Sequence, residues 1–344
     1  MRLARTLALL AGVSTLLALP AALAAERVQV VTSFSLLANM IENVGGEHVE
    51  VAALVGPDSD AHVYSPRPTD ARDLAEADLV VFNGLQFEGW MERLIDASDF
   101  DGPLVVATDG LEAHLEAAED DGHDAHASHD DEAPGDEHDH GPLDPHAWQD
   151  LGLGEIYVDN IRDGLIAADP AHADAYRANA ERYLDAIAAA DDELRALLDE
   201  IPDETTVITG HASFGHFARA YGLRFLSPQG LSTAGEPSAA NMARLIDVIR
   251  EQSVRALFHE NMTSPAMIDQ LAEETGLPVA GTLYADALAS DGEADSWLGM
   301  MRHNARVLHD ALAQPGHEEP GHEGDSDAQG QDHAPDEAPH DHAH

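Results

Sequence analysis

Four short stretches place metal-competent side chains where a strand-like run gives way to a loop. Residues 56–64 carry Asp58, Asp60 and His62 just after the apolar run 49–55. Residues 143–148 carry Asp144 and His146, 209–214 carry His211, and 281–287 carry Asp286. Neutral imidazoles and carboxylates are ligands for divalent cations; imidazole suits zinc, and oxygen-rich sets suit manganese. Singly, each stretch is a weak signal, because a lone loop histidine more often hydrogen-bonds or faces solvent than ligates a metal.

Histidine count points elsewhere. Of the 21 histidines, six are His114, His123, His126, His129, His138 and His140, and six more lie between His317 and His344. Both clusters sit in Asp/Glu-rich sequence without apolar periodicity, so neither can bury a core, and both read as disordered. Imidazoles beside carboxylates give the first cluster the chemistry of a weak accessory metal site; a solvated spacer is the plainer reading.

Composition sets the setting. The net charge is −48, and all 17 basic residues are arginine. Such acidity argues against nucleic acid and anionic membrane surfaces, and suits solubility in a salty medium. Arg2 and Arg5, an apolar run over 7–23 and Ala22-Leu23-Ala24 read as a signal peptide cleaved near residue 24. With no cysteine in the chain, the reading excludes a lipid anchor, disulfides and thiolate zinc sites, and expects a soluble periplasmic monomer.

The remaining sequence alternates strand and helix signals. Strands are expected at 28–31, 49–55, 78–82 and 104–106, then at 206–209, 223–226, 255–259 and 278–281. Helices are expected at 34–44, 69–77 and 156–167, then at 214–221, 238–251, 265–275 and 296–312. Asp169-Pro170 reads as an N-cap opening a helix to about residue 200, roughly 45 Å long at 1.5 Å per residue. The expected fold class is α/β: two lobes with parallel sheets joined by a long interdomain helix, with a ligand cleft at the strand ends. The domain reading is signal 1–24, N-terminal lobe 25–168 with a His-rich loop at 112–141, linking helix 169–201, C-terminal lobe 202–313 and tail 314–344.

Five stretches occur in an order that resembles one family. They are GPDSDAHVYSPRPTDARDLAEADLVVFNGLQFEGW (56–90), DPHAWQD (144–150), TGHASFGHFARAYGLRF (209–225), PSAANMARLIDVI (237–249) and GTLYADAL (281–288). Together they resemble the metal-specific solute-binding proteins of ABC importers, in the zinc (ZnuA/AztC-like) branch, over nearly all the ordered sequence. The resemblance implies that His62 and His146 from one lobe and His211 and Asp286 from the other converge on Zn²⁺. It implies a membrane permease and its ATPase as partners, with room for a periplasmic zinc metallochaperone that loads the protein. Manganese-binding relatives typically carry a glutamate where this chain has His211. A manganese or iron carrier of the same family is the alternative reading.

A secreted zinc hydrolase is the rival from another class. Such enzymes keep three protein ligands and an open position for water, whereas Asp286 would fill the fourth place and no HExxH motif occurs. The expectation is a binding protein, not an enzyme. Around the four residues, Asp144 is expected to shape the turn at Pro145, and Glu260-Asn261 either to support the cleft or to cap a helix. His216 is expected to pack, His259 to face core or cleft, and Trp90, Trp148 and Trp297 to lie in the core.

Overall fold

The strand β1 (Val28–Phe34) is buried at every position except Gln29, the pattern of a parallel strand covered on both faces. In the computed structural model of the protein, residues 27–113, 143–235, 239–251 and 253–313 are described. The expected signal segment, the tail and the accessory histidines His114, His123, His126, His129, His138 and His140 lie outside the described residues. Of the expected loop, Glu112 and Ala113 are described, in a helical turn.

In the first lobe β1 pairs with β2 (Val49–Val55) and β3 (Leu79–Phe82), and β3 pairs with β4 (Leu104–Val106), all parallel. The crossovers are α1 (Ser35–Gly45), α2 (Pro68–Ala75) and α3 (Met91–Ser98). The helix α4 (Gly154–Ala168) then packs against the long helix α5 (Ala173–Leu198).

At 26 residues, α5 is about 39 Å long at 1.5 Å per residue, shorter than its sequence suggests. Asp169 does not cap it; the carboxylate instead accepts from His172 Nδ1 and the Tyr176 hydroxyl, and Pro170–His172 forms a separate 3₁₀ turn. Tyr176, Ala180, Tyr183, Ile187, Ala190, Leu194 and Leu198 are buried, a stripe at three- and four-residue spacing. One end of α5 holds the first lobe through Asn179 Nδ2 to the Val44 carbonyl at 3.0 Å. The other holds the second lobe, where the Tyr221 hydroxyl donates to Asp191 at 2.9 Å.

The second lobe repeats the plan. It runs β5 (Thr206–Ile208), α6 (Gly215–Tyr221), β6 (Arg224–Leu226), α7 (Ala239–Glu251), β7 (Val254–Glu260), α8 (Ala266–Thr275), β8 (Val279–Leu283) and α9 (Trp297–Leu312). The sheet orders are β2-β1-β3-β4 and β6-β5-β7-β8. Each order reverses at its first strand, and such switch points open crevices beyond the carboxyl ends of the strands. The main hydrophobic core runs without interruption from one lobe through α5 into the other, with Trp90, Trp148 and Trp297 inside it.

Candidate metal centre

The structure brings His62, His146, His211 and Asp286 together, with one donor atom of each lying within 4.8 Å of all the others. His62 follows β2, His211 follows β5 and Asp286 follows β8; His146 opens the 3₁₀ turn Ala147–Gln149. Each therefore hangs from the end of an element rather than from its middle. The His146, His211 and Asp286 side chains are fully buried, and that of His62 is 2 % exposed.

The spacing bears on what the cluster can hold. Asp286 Oδ2 lies 3.3 Å from His62 Nε2 and 3.0 Å from His211 Nε2, and Asp286 Oδ1 lies 3.7 Å from His146 Nε2. His62 and His146 approach at 3.4 Å, Nε2 to Nε2. A tetrahedron with metal–donor bonds of about 2.0–2.1 Å has edges of roughly 3.3–3.4 Å, inside the spread of these separations. His211 Nε2 and both Asp286 oxygens are buried without a hydrogen-bond partner, an arrangement that proteins avoid unless another group satisfies those atoms. The donor set and its spacing fit a four-coordinate divalent cation.

Two of the imidazoles are oriented by carboxylates. His146 Nδ1 donates to Asp144 Oδ1 at 2.7 Å, and the same oxygen accepts the His146 backbone N–H at 3.0 Å. His211 Nδ1 donates to Glu260 Oε2 at 2.8 Å. A carboxylate on one ring nitrogen fixes the tautomer and leaves the other nitrogen as the ligand. Asp144 thus does more than shape its turn, and Glu260 supports the cleft rather than capping α8, which starts after Pro265. Gly210 permits the Glu260 contact, because a Cβ there would sit 2.8 Å from Glu260 Oε2.

Charge inside the cluster follows from these neighbours. Burial alone would lower the His211 pKa, yet the carboxylates of Glu260 and Asp286 hold it well above its ordinary 6.5. Burial would likewise raise Asp286, but His211 and then His146 pull it well below its ordinary 3.8. Without metal, both directions favour an imidazolium at His211 beside a carboxylate at Asp286.

A second layer of contacts comes from residues that the sequence did not single out. Asn83 Nδ2 donates to the Pro145 carbonyl at 3.0 Å, just before His146, and the Tyr157 hydroxyl donates to Asn83 Oδ1 at 2.8 Å. The buried Glu88 accepts the Ser33 hydroxyl at 2.6 Å and the Asn83 amide at 2.8 Å. Burial pushes its carboxyl pKa up. The turn so fixed sets the Phe87 ring 4.5 Å from that of His62. Asn83 directly follows β3, so the strand-end position that marks the other candidates was its available signal. His216 Nε2 bonds the Asp144 carbonyl at 3.0 Å, and His259 Nε2 bonds Asp269 at 2.8 Å, so neither joins the cluster.

The lobes are also stitched beside the site. Trp148 Nε1 and Gln149 Nε2 both donate to the Ala285 carbonyl, at 2.9 and 2.7 Å, and Trp297 Nε1 donates to the Trp148 carbonyl at 2.9 Å. The segments bearing His146 and Asp286 therefore share one hydrogen-bonded junction.

Residues 30–311 match the family described as ZnuA, the periplasmic zinc-uptake complex component A. The chain belongs to this family. It is similar to the manganese-binding lipoprotein MntA of Halalkalibacterium halodurans, 30% identical over 292 residues, which are 84% of this chain and 90% of that one. It is similar to the iron-binding protein YfeA of Yersinia pestis, 31% identical over 274 residues, 78% of this chain and 80% of that one. Among solved structures, the periplasmic zinc binding protein TroA from Treponema pallidum matches with a TM-score of 0.73 at 25% identity, covering 84% of this chain and 100% of that one. The family is one of periplasmic, metal-binding substrate-binding proteins that work with an ABC permease and its ATPase, and they are transport proteins rather than enzymes. Two α/β lobes with parallel sheets and a long helix are its fold, as here. Among the described residues no helix is long and apolar enough to cross a membrane.

Proposed function

We propose that this protein captures Zn²⁺ in the periplasm and delivers it to an ABC-type zinc importer, holding the ion with His62, His146, His211 and Asp286. One observation carries the reading: three imidazole nitrogens and one carboxylate converge in a buried cluster whose donors lie within 4.8 Å of one another. Three nitrogens with one oxygen are a borderline-soft, four-coordinate set, which favours zinc over the harder manganese ion. Zinc sheds its waters as the four side chains replace them, two from each lobe. Coordination by both lobes then stabilises the docked form that the permease accepts.

The second reading is a manganese or iron carrier, favoured by the relatives named for those metals. Elemental analysis of the purified protein, followed by competition of Zn²⁺ against Mn²⁺, separates the two. Zinc retained against excess manganese supports the proposal, and exchange of zinc for manganese sinks it. His211→Ala should lose the tight site, and unchanged tight binding would remove this residue from the ligand set. Deleting 114–140 should remove weak sites and spare the tight one. Loss of the tight site instead would refute the accessory role proposed for His114, His123, His126, His129, His138 and His140.

A further inference from the structure

Asn261 lies immediately after Glu260, the residue that orients His211, yet its own side chain points at the opposite lobe. Its Nδ2 donates to Asp58 Oδ1 at 3.1 Å and to the Ala287 carbonyl at 3.2 Å. Asp58 Oδ2 accepts the Ser290 backbone N–H at 3.1 Å, and the Asp58 N–H donates to the Leu288 carbonyl at 2.9 Å. Asp58 stands four residues before His62, and Ala287 directly follows Asp286. One amide and one carboxylate thus join the segments that carry His62, Asp286 and, through Glu260, His211.

Among the described residues, Asn261 Nδ2 and the Asp58 carboxylate make no other hydrogen bond. Asn261 caps no helix, since α8 begins at Ala266 with Pro265 at its N-cap. Asp58 has a φ of 53°, in the left-handed region that aspartate tolerates better than most residues but that surrounding contacts must hold. Asp58 and Ser290 are exposed and Asn261 is half-buried, so the Asp58 side of the contact can exchange with water at small net cost.

We infer that Asn261 and Asp58 form an interlobe clasp, positioning residues that set how long the bound metal is retained without ligating it. The inference rests on the zinc-capture reading. An intact clasp holds the turn before His62 against the segment after Asp286, alongside the Thr233 hydroxyl, which donates to Asp60 Oδ2 at 2.6 Å. A broken clasp leaves all four ligands in place but lets the His62 turn swing out, and the metal departs sooner.

The test is stopped-flow release of Zn²⁺ from the full-length protein into excess chelator. Asn261→Asp is nearly isosteric and sets a second carboxylate against Asp58; release should quicken about tenfold, the scale of one or two lost hydrogen bonds. The double variant Asp58→Asn with Asn261→Asp restores the donor–acceptor pair between the two side chains, though not the bond to the Ala287 carbonyl, and should recover part of the loss and release zinc more slowly than Asn261→Asp alone, as coupled neighbours do. The visible absorption of the Co²⁺-loaded protein should be the same in all of them, because no ligand changes. Unaltered release in Asn261→Asp, failure of the double variant to recover, or a changed cobalt spectrum would each overturn the clasp. If the wild type holds no tight zinc, the capture reading fails on its own. The clasp is then read in the metal-free protein by hydrogen exchange of peptides spanning 56–64 and 284–292. Asn261→Asp should speed exchange in both and the double variant partly reverse it; equal exchange in all three proteins overturns the inference.

Discussion

His211 and Glu260 are bound to each other twice: the His211 backbone N–H donates to Glu260 Oε1 at 3.1 Å, and its ring Nδ1 donates to Oε2 at 2.8 Å. A single carboxylate therefore fixes both the position of the residue and the rotation of its ring, and Nε2 faces Asp286 as a result.

Removing that grip should weaken metal binding even though no ligand is lost. Glu260→Ala should lower zinc affinity by about 10–100-fold, the usual effect of deleting an outer partner of a metal-bound imidazole. Glu260→Gln keeps an acceptor for Nδ1–H and should lose less. Chelator competition at fixed pH measures both, and equal losses would mean that charge rather than orientation is what matters.

Gly210→Ala tests the same contact from the other side. The new Cβ would lie 2.8 Å from Glu260 Oε2, so the carboxylate must move away from the ring. Zinc affinity should fall in the direction of Glu260→Ala, with a smaller change in melting temperature than a ligand substitution gives. An affinity equal to the wild type would show that the carboxylate can shift freely.

His211→Glu should change metal preference. Glutamate adds an oxygen donor, so zinc affinity should drop while manganese binding rises relative to it. Without metal, the variant sets a third carboxylate beside Glu260 and Asp286 and removes the His211 imidazole between them. That uncompensated buried charge should cost about 3–5 kcal/mol. Thermal melts with and without Mn²⁺ read the effect. Failure of manganese to restore the melting temperature would count against a metal-selecting role for this position.

Zinc binding and acidity should be linked through His211. Zinc must displace the Nε2 proton of a group whose pKa is held well above 6.5. Affinity should therefore keep rising with pH beyond the ordinary histidine range. Stability of the metal-free protein runs the other way. The raised His211 contributes fully below 6.5 and loses its contribution as pH rises through its own higher value. The depressed Asp286 contributes fully above 3.8 and loses its share as pH falls through its lower value. Both contributions are therefore fully present between roughly 3.8 and 6.5, and each is lost outside that window only as pH passes its own shifted value. Thermal melts on both sides of that window, with and without zinc, should show the metal-free protein weakening towards alkaline pH and the loaded protein resisting it.

The four clustered residues were legible as candidates because each sits where a strand-like or turn-like run meets a loop, a local property. The α/β alternation was equally local, since buried parallel strands read as unbroken apolar runs. What escaped was set by distance. Asn83 and Glu88 act on Pro145, Ser33 and the backbone around them, and no spacing in the sequence announces contacts over such separations. Helix α3 was missed because only Met91, Leu94 and Ser98 are buried on its eight residues and no side chain caps it. The start of α5 was misplaced because Asp169 has the composition of a cap but spends its carboxylate on His172 and Tyr176.

The continuous core that runs through α5 into both lobes has a consequence for taking the protein apart. The main core is shared between the lobes and only the second lobe keeps a smaller cluster of its own, around Ile208, Leu257 and Leu271, so fragments cut between them would each expose half of the Trp148–Trp297 junction and carry only two of the four clustered residues. Such halves should be insoluble or molten alone and regain structure only on recombination. A biosensor built on this scaffold should therefore keep the chain whole and report from the rim near Asp58, since a split-protein format would measure refolding instead of metal.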